Sequence, residues 1–157
     1  MHKKKHLIGH IIYVALYSAL IVSTIVFYNS ANLVKFVYVG LITIALGIVF
    51  VSWSSKSRKK VSKEALVESG IYAFVRHPEF LGHMLIIFAL VIISQHWISL
   101  VIGVILIILL CFAMIEEEKR NIEKFGEAYR DYMKKVPRIN LLVGILRKMK
   151  KGNDPNI

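Results

Sequence analysis

Two clusters of ionisable residues interrupt an otherwise apolar chain. Arg76, His77 and Glu79 stand at the head of one hydrophobic run, in RHPEFLGH (76–83), and Glu116, Glu117 and Glu118 stand at the foot of the next. A guanidinium or imidazole can hold a carboxylate or an oxyanion, and carboxylates can hold an ammonium or the hydroxyls of a ribose. Together they suit a zwitterionic ligand that also carries a positive centre. The competing account makes them interface charges whose stems cover apolar surface, with one ion pair fastening two helices. It serves Glu116 or Glu118 taken singly. It serves Arg76 and His77 with a paired glutamate less well, because charge at the edge of a membrane span is costly and marks function.

The elements that must position these residues are membrane helices. Of 157 residues, 56% are hydrophobic, more than a soluble domain of this size carries. The apolar residues gather into runs at 7–27, 33–53, 80–94 and 97–115, each near the roughly 20 residues a bilayer crossing needs. The third is short and is expected to form a tight hairpin with the fourth, turning at Ser94, Gln95 and His96. That turn makes the head of run three and the foot of run four neighbours, so a pocket with a cationic and an anionic lip is expected. The first run is too long for a signal-peptide core and lacks a small-residue cleavage site after it, so it reads as a retained helix. The fold expected is an all-α integral membrane protein of about four transmembrane helices, with a C-terminal hairpin and cytoplasmic amphipathic helices. It forms a single membrane domain: residues 1–63 a helical pair and basic loop, 64–138 a core, 139–157 a basic tail.

The net charge is +11. Basic residues cluster before run one, after run two and after run four, whereas Lys35 is alone in the loop between runs one and two. An even number of crossings puts every cluster on one side, which the positive-inside rule makes cytoplasmic, with both termini there. Anionic lipid headgroups are the expected partners, and no basic patch on a soluble domain points to nucleic acid. Cys111 is the lone cysteine, expected as a small packing residue. It excludes an intrachain disulfide and a CxxC site; no HExxH occurs, and His2, His6 and His10 at the N-terminal membrane boundary have no carboxylate nearby, so no metal site is expected.

Between the runs, Lys63–Tyr72 (KEALVESGIY) reads as a short helix stopped at Gly70. Pro78 marks a new helix start. After run four the chain is expected to continue as helix through Gly126 to Pro137, with Ile122, Phe125, Tyr129, Tyr132 and Met133 on one face. A close backbone approach is the expected reason for Gly126. In INLLVGILRKMKK, Leu142, Ile145, Leu146 and Met149 oppose Arg147, Lys148, Lys150 and Lys151, the pattern of an interfacial helix or of a plain amphipathic tail. The last residues, GNDPNI, read as disordered. Tyr13, Tyr17 and Tyr28 on run one read as aromatic packing or an interface belt, with a lipid entrance as the alternative.

The ordered set Gly70, Tyr72, Arg76, His77, Pro78, Gly82, Glu117, Glu118, Phe125, Gly126, Tyr129, Tyr132, Val136, Pro137 and Arg138 closely resembles the isoprenylcysteine carboxyl methyltransferase family and its relatives, among them phospholipid methyltransferases. The resemblance covers residues 64–138. It implies an integral-membrane enzyme that binds S-adenosyl-L-methionine in a pocket of C-terminal helices and methylates a lipophilic acceptor at the cytoplasmic interface. Cofactor contacts carried over position by position are Ala65, Leu66, Val67, Tyr72, His77, Pro78, Glu79, Phe80 and Glu117, with Arg76 beside the reacting group as the catalytic residue. The pattern departs at Phe80, where the family has tyrosine, and at Ala113, where prenylcysteine enzymes carry an arginine associated with the substrate. The acceptor atom stays open between oxygen, nitrogen and sulfur, and phospholipid amine N-methylation is an alternative. An NADPH-dependent sterol or enone reductase and a non-catalytic membrane scaffold are further alternatives.

Overall fold

The computed structural model describes residues 2–62 and 64–152. In chain order its helices are α1 (His2–Val26), α2 (Val34–Lys59), α3 (Pro78–Ser94), α4 (Trp97–Phe125), α5 (Glu127–Lys135) and α6 (Leu141–Gly152), with a 3-10 turn at Gly70–Ala73 before α3. There is no strand among the described residues. Three helices are long and apolar enough to cross a membrane: α1 from Ile8, α2 and α4. The fourth apolar helix, α3, has 17 residues, about 26 Å at 1.5 Å per residue. Ile25, Ile42, Leu100, Ile108 and Phe112 point outward along these helices, as lipid-facing side chains do. This is an all-α integral membrane protein.

The chain forms two compact units. One comprises the chain up to Gly47 together with His83–Ala113; the other comprises Ile48–Gly82 and Met114 onward. In the first, helices approach where side chains are small. A Cβ on Gly40 would strike Ile93, and one on Gly103 would strike Val91. Close backbone approach through small residues is how helices associate without a hydrophobic drive. Several hydroxyls satisfy one another: Ser99 Oγ lies 2.7 Å from Ser23 Oγ and 2.6 Å from Ser94 Oγ, and Thr24 donates to the Leu20 carbonyl at 2.8 Å. The expected turn is present, with Gln95 at φ +56°. Its amide locks the α1–α2 loop reciprocally, accepting from Leu33 N–H and donating to Leu33 O, both at 3.0 Å. Tyr13 and Tyr17 pack ring to ring at 5.7 Å, and Tyr17 meets His83 edge-on. Tyr28 is exposed. Cys111 corrects its expectation: it is exposed on α4 instead of packed.

In the second unit two more expectations are corrected. Residues 64–69 are irregular, and Gly70 opens a 3-10 turn where it was expected to stop a helix. Its φ is +64°, and Ser57 Oγ sits where a Cβ would go, so a conformation open mainly to glycine is required there. An isolated helix of that length is also marginal in water. Helix α4 does not continue through Gly126 either. Gly126 takes φ +57°, ending α4 and starting α5. Nothing lies within 4 Å of where its side chain would be, so backbone conformation, not close approach, explains it. The break lets Tyr129, Tyr132 and Val136 of the α5 segment bury against Leu66, Ile122, Phe125 and Met133. Residues 153–157, most of the tail read as disordered, lie outside the described residues, as does Lys63.

Candidate functional site

The site begins with a proline. Pro78 is the first residue of α3, where its missing N–H is one the helix would leave unpaired anyway. His77 therefore stands outside the helix as its cap, and its carbonyl accepts the Leu81 N–H at 3.1 Å. With their own N–H groups free of helix, Arg76 and His77 donate to the carbonyls of Pro137 and Arg138, at 3.0 and 3.1 Å. This two-residue backbone pairing joins the RHP and VPR stretches. Tyr72 fixes the preceding turn: its hydroxyl lies 2.8 Å from Ser54 Oγ, and its carbonyl accepts from Tyr132 OH at 2.7 Å.

Around that pairing a charged cluster closes on Glu118, whose side chain is only 6% exposed. Arg138 grips it with both ends of the fork, Nε to Oε1 at 3.0 Å and Nη2 to Oε2 at 2.6 Å. Bidentate geometry of this kind gives the strongest charge-assisted bonds. His77 Nε2 is 3.2 Å from Oε1. Arg76 Nη1 lies 3.0 Å from the same oxygen but is not aligned to donate. Arg76 Nε and Nη1 are buried without a hydrogen-bond partner, on a side chain 9% exposed. Two nitrogens of a buried guanidinium thus lack a hydrogen bond, although Nη1 keeps its ion pair with Glu118. Unmet buried donors of this kind cost on the order of 1–3 kcal/mol.

Burial pushes the His77 imidazole below the ordinary histidine range, against the opposing pull of Glu117 and Glu118. The neutral ring must donate through Nε2, because the carboxylate it meets can only accept. Nδ1 then carries the lone pair, 3.9 Å from Glu117 Oε1.

The expected residues fall into three groups. Arg76, His77 and Glu117 come together; Phe80 meets the His77 ring edge-on at 5.5 Å, and Pro78 is fully buried beneath them. Glu79 pairs with Arg58, from the last turn of α2, while Tyr72 holds the turn below. Leu66 packs into the aromatic cluster, Ala65 is exposed and Val67 is half-buried. Sequence reasoning placed Glu118 in the anionic lip but chose Glu117 as the cofactor contact, and it assigned no site role to Arg138 or Arg58. Glu118 continues the inward stripe of α4 through Leu106, Leu110 and Met114, buried at four-residue intervals before it, a stripe that the uniformly apolar sequence of α4 does not mark. A shallow depression of about 460 Å³ lies elsewhere on this unit, among Ile122, Glu127, Arg130, Met133 and Lys134, and includes none of the cluster. Among the described residues no group of three or more His, Cys, Asp or Glu side chains is arranged to hold a metal ion.

Comparison with known proteins bears on this arrangement. Residues 35–128, well over half of the chain, match the phospholipid methyltransferase family model. The chain is also 31% identical over 80 residues to the protein-S-isoprenylcysteine O-methyltransferase of Schizosaccharomyces pombe (strain 972), a match covering 50% of this chain. That match spans about a third, 34%, of the relative's own length. No solved structure matches the chain. The family match runs from the start of α2 past Gly126 and contains Arg76, His77, Glu117 and Glu118, and on that ground the chain belongs to the phospholipid methyltransferase family.

Proposed function

We propose that this protein is an S-adenosylmethionine-dependent methyltransferase acting on a lipophilic acceptor at the cytoplasmic face of the membrane. The observation that carries the reading is the buried Arg76, ion-paired with Glu118 and with Nε and Nη1 lacking a hydrogen bond, beside His77 and Glu117. That donor set fits the cofactor: Arg76 is suited to its carboxylate, and Glu117, whose side chain is 37% exposed, to its ammonium or ribose hydroxyls. His77, Pro78, Glu79 and Phe80 at the head of α3, together with Tyr72 and the Ala65–Val67 stretch, complete the proposed contacts. Bound there, the cofactor supplies an electrophilic methyl group.

The chain's own work is then positioning. Methyl transfer from a sulfonium needs alignment and exclusion of water more than acid–base help. Arg76 is held by backbone and by Glu118, so its guanidinium is placed before a ligand arrives. The acceptor is proposed to enter from the bilayer. The relative's name points to a prenylated cysteine, the family's to a phospholipid. Ala113 stands where prenylcysteine enzymes have their arginine, so this chain lacks that cation for an acceptor carboxylate, and we favour an uncharged or amine acceptor. The basic clusters support a cytoplasmic position for both termini and the site under the positive-inside rule.

Calorimetry on the purified protein in detergent tests the site: S-adenosylhomocysteine binds the parent, and His77→Ala or Glu117→Ala abolishes binding. Binding unchanged in both variants sinks the assignment, and binding of NADPH in its place returns the reductase reading. Mass spectrometry of membrane lipids incubated with the protein and isotopically labelled methyl donor names the acceptor.

A further inference from the structure

Helix α6 has three distinct sides. At 100° per residue, Gly144 and Lys148 share one. Gly144 is buried, and a Cβ there would run into the Phe74 carbonyl, so the helix backbone lies directly on that peptide. Lys148 Nζ sits 4.4 Å from the centre of the Phe74 ring. Asn140 caps the helix start, its Oδ1 accepting the Val143 N–H at 3.1 Å. Phe74 is two residues before Arg76, so α6 is seated on the segment that carries the site's cations.

A second side is apolar and uncovered. Leu142, Ile145, Leu146 and Met149 are 73%, 36%, 64% and 63% exposed and fall within one stripe. The third side is basic, with Arg147 and Lys150, and residues 139–152 contain no acidic residue. An apolar stripe flanked by cations matches an anionic bilayer surface. A second copy of α6 would bring like charges together, and the spans already fix this protein at a lipid surface.

We propose that α6 docks on anionic lipid through this stripe and its basic flank, and that through Gly144 and Lys148 the docked helix holds the Phe74–His77 segment in its ligand-binding form. Anionic lipid thereby tunes ligand affinity at the site. The coupling rests on Arg76 and His77 being cofactor contacts, as proposed above; the docking does not.

The test uses the full chain in vesicles of phosphatidylcholine alone and with a third phosphatidylglycerol, reading S-adenosylhomocysteine affinity. Binding is expected to tighten by about fivefold or more with the anionic lipid, since each basic residue near such a surface contributes roughly that factor. Arg147→Gln with Lys150→Gln removes the gain and leaves affinity in the neutral vesicle unchanged. Gly144→Ala, or Gly144→Val should the first be absorbed, lifts α6 from Phe74 and removes the gain too. A Met149→Trp reporter, read as a difference from the parent, shifts to the blue on anionic vesicles in the parent background and in Gly144→Ala. Equal affinity in both vesicles overturns the coupling and leaves the cofactor reading standing. No binding in either overturns the cofactor reading and the coupling with it, and an unshifted tryptophan overturns the docking.

Discussion

The two units of this protein solve the problem of polar groups in opposite ways. The unit built from the chain up to Gly47 and His83–Ala113 contains no acidic residue; the carboxylates of the described residues all lie in the other. In the first unit the hydroxyls of Ser23, Thr24, Ser30, Ser94 and Ser99 bond to one another or to backbone carbonyls, Tyr13 Oη, Asn29 Oδ1 and His83 Nδ1 are buried without a partner, and the helices meet at Gly40 and Gly103. The second unit gathers two arginines, a histidine and a glutamate into a buried knot and leaves donors over. Neutral hydroxyls paired locally suit hydrocarbon better than carboxylates do.

Breaking the knot should therefore cost most. Glu118→Ala removes the carboxylate that faces the buried Arg76, and removing one partner of a buried ion pair destabilises by about 3–5 kcal/mol. Unfolding in mixed micelles measures it, and a loss no larger than that of a surface substitution would erase the contrast between the units. Next comes Gly40→Ala, which overpacks the first unit against Ile93 at a cost of about 1–3 kcal/mol. Ser99→Ala follows: it leaves Ser23 and Ser94 without their shared partner, worth on the order of 1 kcal/mol between membrane helices. Were Ser99→Ala to cost more than Glu118→Ala, hydroxyl pairing and not charge would be the stronger fastening.

The smallest effect is a pH dependence confined to the knot. Burial holds the folded His77 below its unfolded value of about 6.5, so the unfolded chain binds the proton first. Stability is full above that value and falls as the pH drops below it, until the folded ring also protonates. His77→Asn should flatten the melting temperature between pH 7 and 5. A slope surviving the substitution would move the titration to another group.

Much of this was legible in the residues. The apolar runs gave the spans, and the Ser94–His96 turn forced the head of α3 beside the foot of α4, which is why Arg76 and His77 meet glutamates. Which glutamate could not be read. Three in a row point 100° apart on a helix, and α4 is apolar on every side above them, so its inward stripe through Leu106, Leu110 and Met114 left no contrast. Arg138 was hidden for another reason: a backbone pairing between stretches some sixty residues apart brings it in, and no side-chain periodicity records such a pairing. The helix expected at 63–72 failed because local propensity was read where Gly70, pressed on Ser57, dictated the backbone.

The pairing of residues 76–77 with 137–138 has a consequence for synthesis. Until Pro137 and Arg138 have left the ribosome, the amides of Arg76 and His77 lack their acceptors and Glu118 lacks its bidentate grip. Helices α1 to α4 have been translated by then, so the knot is tied after them, on apolar helices already available to lipid.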